Sequence, residues 1–283
     1  MKFVINGIRY HVDIWGEGFP LLLLHGFTGD RSTWSEFKPF WKEHSKAIAL
    51  DIIGHGQTDS PLEPSRYDIE AIADDLYALL EKLEIDETDL LGYSMGGRLA
   101  LTFAIKYPEK VRRLILESSS PGLKTESERE ARRLHDEKLA ERIQTEGLHE
   151  FIEYWESIPL FQSQLRLPQP IRNHIRKQRL SNSENGLMNS LKGMGTGAQA
   201  SWWNALEDVN IPTLLLTGSF DEKFCQIASK MTKKLKNSKW ISIDDCGHAI
   251  HVEKSEIFGT IVSGFLSNDK VNLPSVEVEK RQN

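Results

Sequence analysis

The chain has 283 residues, enough for one large domain or for a core carrying an inserted subdomain. Hydrophobic residues at 39% and charged residues at 27% are the balance of a globular protein and exclude a disordered chain. The net charge of −6 argues against nucleic acid as a partner, and the longest apolar run, Leu21–Leu24, is far too short to span a membrane. The N-terminus lacks an apolar stretch with a small-residue cleavage site, and there are only two cysteines, Cys225 and Cys246. A cytoplasmic location fits, and inert core-type thiols are expected rather than a disulfide scaffold.

In chain order, the first 24 residues read as strands: Phe3-Val4-Ile5, Tyr10 to Ile14, and the leucine run. Asn6-Gly7 is a two-residue hairpin signal between the first two. The leucines, bounded by Pro20 and Gly26, predict a central strand buried on both faces, and Ala47 to Leu50 predicts another. Residues 68–83 place Ile69, Ile72, Ala73, Leu76, Leu79, Leu80 and Leu83 on one helical stripe. Strands are predicted at 89–93, 114–117, 213–217 and 240–243, with helix at 97–106. Strands alternating with helices imply an α/β chain with a mostly parallel sheet flanked by helices.

The alternation stops once. Residues 121–204 contain no convincing strand, are rich in charge, and read as several short helices punctuated by Pro159, Pro168, Pro170 and Gly186. We read 1–120 and 205–267 as the core, 121–204 as an inserted helical cap or lid, and 268–283 as a polar tail.

Gly92-Tyr93-Ser94-Met95-Gly96 lies at a strand-to-helix junction and matches the G-x-S-x-G nucleophile elbow of the α/β-hydrolase fold. His25-Gly26-Phe27 follows the leucine strand, where the backbone N–H groups of Phe27 and Met95 could together form an oxyanion hole. Asp221 follows a later strand and His248 the last one, giving the order Ser, Asp, His that this fold uses. His248 is expected to take the Ser94 proton while Asp221 holds the imidazole. Asp244 and Asp245 compete for the acid role but precede the histidine too closely and fit a turn. Asp51, His55 and His25 read as structural, and His251 as a pocket residue at most. No cluster has metal-ligand spacing and no phosphate loop is present, so neither metal nor cofactor is expected.

Arg98 lies four residues after Ser94, one turn along the same helix face. A guanidinium there needs an anion, either a protein carboxylate such as Asp74 or Asp75 or a substrate, and the residue alone does not choose between them. Arg132, Arg133 and Arg179 in the cap could add partners for a substrate with several carboxylates. Arg129, Arg142, Arg172 and Arg176 are expected to be solvated.

From about Phe19 to Leu266 the chain resembles the 2-succinyl-6-hydroxy-2,4-cyclohexadiene-1-carboxylate synthases of menaquinone biosynthesis. The resemblance rests on Gly92 to Ala100 with its Gly-Gly-Arg ending, Glu117 to Leu123, and Ala131-Arg132 through Asp136. It continues through Trp155 before Pro159-Leu160-Phe161, Arg179 near Ser181-Asn182, Gly218 to Phe224, and Gly247 to His251. It implies Ser94, Asp221 and His248 as triad, with Tyr93, Arg98, Arg132, Trp155 and Arg179 binding substrate; adjacent Arg132 and Arg133 leave a one-residue ambiguity. It further implies a small tricarboxylate substrate from which pyruvate is eliminated, Ser94 acting as a base. A monomer or weak homo-oligomer without nucleic-acid or membrane partners is expected. A serine hydrolase acting on an ester, thioester or carbon–carbon bond fits the triad equally; a non-catalytic receptor fits it poorly.

Overall fold

The structure, a computed structural model, describes residues 1–267; the predicted polar tail at 268–283 lies outside the described residues. Eight strands form one sheet: β1 (Lys2–Ile5), β2 (Ile8–Trp15), β3 (Phe19–Leu24), β4 (Ser45–Leu50), β5 (Thr88–Tyr93), β6 (Val111–Glu117), β7 (Thr213–Gly218) and β8 (Ser238–Ile243). Their spatial order is β1-β2-β4-β3-β5-β6-β7-β8. β1 and β2 form the expected hairpin, with Asn6 and Gly7 at φ 48° and 82°. β2 is also antiparallel to β4, and every later pairing is parallel.

β3 shows why the sheet is buried on both faces. Its side chains alternate, so Leu22 and Leu24 join one core while Leu21 and Leu23 join the other, all four fully buried. Each buried leucine contributes about 2 kcal/mol. On the first face pack α2 (Ile69–Lys82) and α3 (Met95–Lys106); α1 (Lys38–Trp41), with α9 (Ile250–Glu253) and α10 (Ser255–Ser267), covers the second, while α8 (Glu222–Thr232) follows β7. The predicted stripe on α2 is the buried one, and Asp68 caps it by accepting from the Glu70 and Ala71 N–H groups.

Between β6 and β7 the described elements are helical: α4 (Glu126–Glu146), α5 (Leu148–Ser157), α6 (Gln169–Leu180) and α7 (Glu184–Met194), plus short 3₁₀ turns. Two expectations fail here. α4 is a single helix of 21 residues rather than one of several short ones, started by a Thr125–Glu128 capping box. Gly186 is not a breaker; it lies within α7, where a Cβ would stand 2.1 Å from the Gly54 carbonyl oxygen, so it marks a close backbone approach. α4, α5 and α7 share a small core of Leu139, Ile143, Phe151, Ile152, Leu187 and Leu191, against which Phe27 and Trp155 pack. Among the described residues no helix is long and apolar enough to cross a membrane.

Candidate active site

Phe27, Ser94, Asp221 and His248 come from the turns that leave the carboxyl ends of β3, β5, β7 and β8, the edge where open α/β sheets place their chemistry, while Arg98 lies on α3 and Arg132, Trp155 and Arg179 on the helices between β6 and β7. Ser94 sits between β5 and α3 with φ 51°, a left-handed conformation that costs energy in a non-glycine residue. The turn closes because its flanks lack side chains. A Cβ on Gly92 would lie 2.3 Å from the Gly96 oxygen, and one on Gly96 would lie 2.3 Å from the Leu24 oxygen.

Three side chains meet there. The Ser94 Oγ lies 2.9 Å from His248 Nε2, and His248 Nδ1 lies 2.6 Å from Asp221 Oδ2. His248 and Asp221 are buried. The carboxylate can only accept, so Nδ1 carries the proton and Nε2 presents a lone pair to the serine hydroxyl. Asp221 also starts α8, its Oδ1 accepting from the Phe224 N–H at 3.4 Å. Asp244 takes no part, and Asp245 instead binds Arg166 and Lys254 on the surface.

Neither the Phe27 nor the Met95 N–H donates to a protein acceptor among the described residues. Met95 opens α3, so its amide belongs to the positive end of that helix. His25 supports the Phe27 loop as expected: Nδ1 donates to Gly26 O at 2.8 Å and Nε2 accepts from Ile52 N at 3.0 Å. Asp51 is likewise structural, accepting from the backbone of Arg31 and Gln57 and from the Arg31 guanidinium.

Ser94 opens on a cavity of about 140 Å³ whose walls include Phe27, Tyr93, Met95, Arg98, Arg132, Trp155 and His248. The Trp155 Nε1–H is buried without a partner. Arg98 does not pair with Asp74 or Asp75. Asp74 is held by Lys106 and Tyr107, and Asp75 by Tyr10, Asn6 and Arg66. Arg98 donates instead to Gln199 Oε1 and Met194 O, both at 2.6 Å, and burial pushes it down to about 9. Arg132 lines the cavity and donates through Nε to Asp136 at 2.8 Å; Arg133 turns outward to Glu126 and Gly197 O. Of these two neighbours, Arg132 is the one on the cavity wall.

Arg179 is the residue the cavity does not gather. It lies in a separate space of about 50 Å³, with Phe27, Tyr93 and Phe161 forming the shared wall. It pairs with Glu156 at 3.4 Å beneath the Phe161 ring, and burial lowers it. His251 lines the same second space, its ring 4.5 Å from Tyr93 and its Nδ1–H shared by both Glu117 oxygens at 2.9 Å. Of the arginines expected to be solvated, Arg176 is half-buried in an ion pair with that same Glu156 at 2.7 Å. Arg129 and Arg142 are likewise half-buried, paired with Glu126 and Glu146, and Arg172 is half-buried too; none of the three lines the Ser94 cavity.

Sequence reasoning missed Lys223, an exposed residue in the first turn of α8 that lines both the Ser94 cavity and an outer cleft beyond His248. Among the described residues it forms no ion pair, and desolvation, then the charge of Arg132, lowers it. Its place two residues after Asp221 was the available signal. Phe161 and Phe224, which pack on the His248 ring at 6.2 and 4.7 Å between centroids, were also missed.

Residues 20–255 match the family model described as alpha/beta hydrolase fold. The chain is 46% identical over 267 residues to a Bacillus subtilis (strain 168) protein provisionally named 2-succinyl-6-hydroxy-2,4-cyclohexadiene-1-carboxylate synthase, covering 94% of this chain and 97% of the relative. A Klebsiella pneumoniae (MGH 78578) protein bearing the same synthase name is 32% identical, with 85% and 91% covered. The solved structure of MenH from S. aureus superposes with a TM-score of 0.86 at 40% identity, covering 91% of this chain and 97% of that one.

Proposed function

Because the chain belongs to the alpha/beta hydrolase fold family and, within it, to the 2-succinyl-6-hydroxy-2,4-cyclohexadiene-1-carboxylate synthases, we propose that it is the lyase that eliminates pyruvate in menaquinone biosynthesis. The substrate is 2-succinyl-5-enolpyruvyl-6-hydroxy-3-cyclohexene-1-carboxylate, a soluble tricarboxylate whose handling suits a cytoplasmic enzyme. The observation that carries this reading is a hydrogen-bonded Ser94–His248–Asp221 relay whose Ser94 and His248 share a cavity with Arg98, a buried cation with no carboxylate partner among the described residues.

The mechanism uses the relay as a base. His248 Nε2 draws the proton from Ser94 Oγ as the oxygen removes a proton from the carbon beside the succinyl carbonyl. The electron pair left on that carbon passes to the carbonyl oxygen, giving an enolate held by the Phe27 and Met95 amides. As the carbonyl re-forms, the pair enters the ring, the existing ring double bond shifts to make the diene, and the C–O bond to the enolpyruvyl group breaks; the group departs as an enolate whose methylene carbon takes the proton held by the His248–Ser94 relay, giving pyruvate. No acyl-enzyme is formed. Arg98, Arg132 and Lys223 supply positive charge to the carboxylates, and the Trp155 Nε1–H is a donor awaiting an acceptor. Arg179 acts from behind Tyr93, as a cation reaching the substrate once Phe161 or Tyr93 shifts. Residues 121–204 serve as the cap over this cavity.

The test is pyruvate release from the tricarboxylate, alongside a panel of simple esters and the Arg98→Ala variant, with intact-mass analysis of enzyme during turnover. Rapid release that collapses in the variant, with unmodified Ser94, is the expected result. Brisk ester or thioester cleavage through a covalent Ser94 adduct, without pyruvate, would replace the lyase by a serine hydrolase.

A further inference from the structure

Gln199 lies in the loop after α7, almost fully buried, and is absent from the cavity wall. Its Oε1 accepts from Arg98 Nη1 at 2.6 Å, while the carbonyl of Met194, at the C-terminal end of α7, accepts from Nη2 at 2.6 Å. A guanidinium has only donors, so the amide orientation is forced and the oxygen must face Arg98. The other end of the amide then has no partner among the described residues: Nε2 is buried and unsatisfied. A carboxylate in the same place would pair with Arg98 and leave no orphaned donor. Hydrogen-bond pairing alone would therefore be better satisfied by glutamate at this position, and the chain carries glutamine.

We propose that Gln199 is a positioning residue whose neutral oxygen fixes the Arg98 guanidinium in the cavity wall while leaving its charge available to a substrate carboxylate. This rests on the reading of Arg98 as an anion-binding residue. Two of its five donors go to neutral acceptors, and the nearest carboxylate influence, Asp136, already has its Oδ1 engaged by Arg132. The selective element is thus an uncharged neighbour, which keeps the cavity cationic where an ion pair would neutralise it.

The experiment measures KM and kcat for pyruvate release in Gln199→Glu, Arg98→Ala and the double variant, with circular dichroism establishing that each is folded. Gln199→Glu is expected to raise KM by about tenfold or more, the scale of one charge-assisted hydrogen bond, with kcat much less affected. In the Arg98→Ala background the same change should move KM less than about twofold, because the charge it neutralises is gone. Gln199→Leu, which removes the acceptor without adding charge, should raise KM less than glutamate does. An unchanged KM in folded Gln199→Glu, while Arg98→Ala raises it, overturns the role of Gln199 alone. An unchanged KM in Arg98→Ala overturns the anion-binding reading beneath it.

Discussion

Asp221→Asn isolates the tautomer of His248. In the wild type Oδ1 accepts from the Phe224 N–H and Oδ2 from His248 Nδ1, so both oxygens face donors. An asparagine has one oxygen. The backbone N–H of Phe224 cannot become an acceptor, so the amide oxygen turns to it and the NH₂ group faces Nδ1. Nδ1 must then accept, the proton moves to Nε2, and the lone pair that meets the Ser94 hydroxyl at 2.9 Å is lost. A wrong tautomer in such a relay costs roughly 10⁴ in kcat, about 5.4 kcal/mol of transition-state stabilisation. Pyruvate release coupled to NADH oxidation by lactate dehydrogenase measures the rate, and KM should change little because Asp221 does not line the Ser94 cavity proposed to take the substrate. A loss smaller than about tenfold would show that Nε2 need not accept from Ser94, refuting the base assembly.

Two further outcomes follow from the same geometry. Arg132→Ala should raise KM for the tricarboxylate by about 10- to 100-fold, as expected for one lost charged hydrogen bond, whereas Arg133→Ala should change it less than about twofold; equal effects would contradict the outward direction of Arg133. His55 governs acid stability. It is fully buried, its Nε2 lacks a partner, and burial, then the nearby His25, pushes it down to about 3. Its folded value lies below the unfolded one near 6.5, so the unfolded chain binds the proton first. Its stabilising contribution is whole above about pH 6.5 and is lost as pH falls toward 3, by about 1.36 kcal/mol per unit. Urea unfolding at pH 7 and pH 5 should show a loss of about 2 kcal/mol from this residue, absent in His55→Leu; an equal loss in both proteins refutes it.

What the sequence made legible was whatever local rules control. The Asn6-Gly7 hairpin, the two-faced leucine strand and the α2 stripe follow from turn chemistry and periodicity over a few residues. The triad was legible for a related reason: each member lies directly after a strand, and parallel strands in one sheet bring their carboxyl ends to one edge. The helical segment was less readable. Its charged surface conceals periodicity, so α4 ran longer than expected, and Gly186 looked like a breaker because its contact with Gly54 spans more than a hundred residues. Arg98 shows the same limit. Helical spacing placed it beneath Ser94, but its acceptors come from the end of α7 and the loop beyond, which no local pattern connects to α3.

The charges around the cavity bear on the reaction more than the triad does. A Ser–His–Asp relay serves a nucleophile and a base equally well, so its geometry alone is neutral between hydrolysis and elimination. The cations are not neutral in that sense. A buried guanidinium destabilises the empty protein unless an anion accompanies it, and at Arg98 the protein supplies only neutral oxygens. Arg132 has half of a carboxylate whose other oxygen, Asp136 Oδ2, is itself buried without a partner. Lys223 has none. Surplus positive charge thus surrounds a space with a largely aromatic and aliphatic lining, an arrangement that a neutral ester would leave unrelieved. A polycarboxylate would relieve it, and the same fields that bind its anionic groups would lower the energy of an enolate forming beside the Phe27 and Met95 amides. Under the proposed lyase reading, that coupling of ground-state recognition to transition-state charge is what would favour proton abstraction and elimination over hydrolysis.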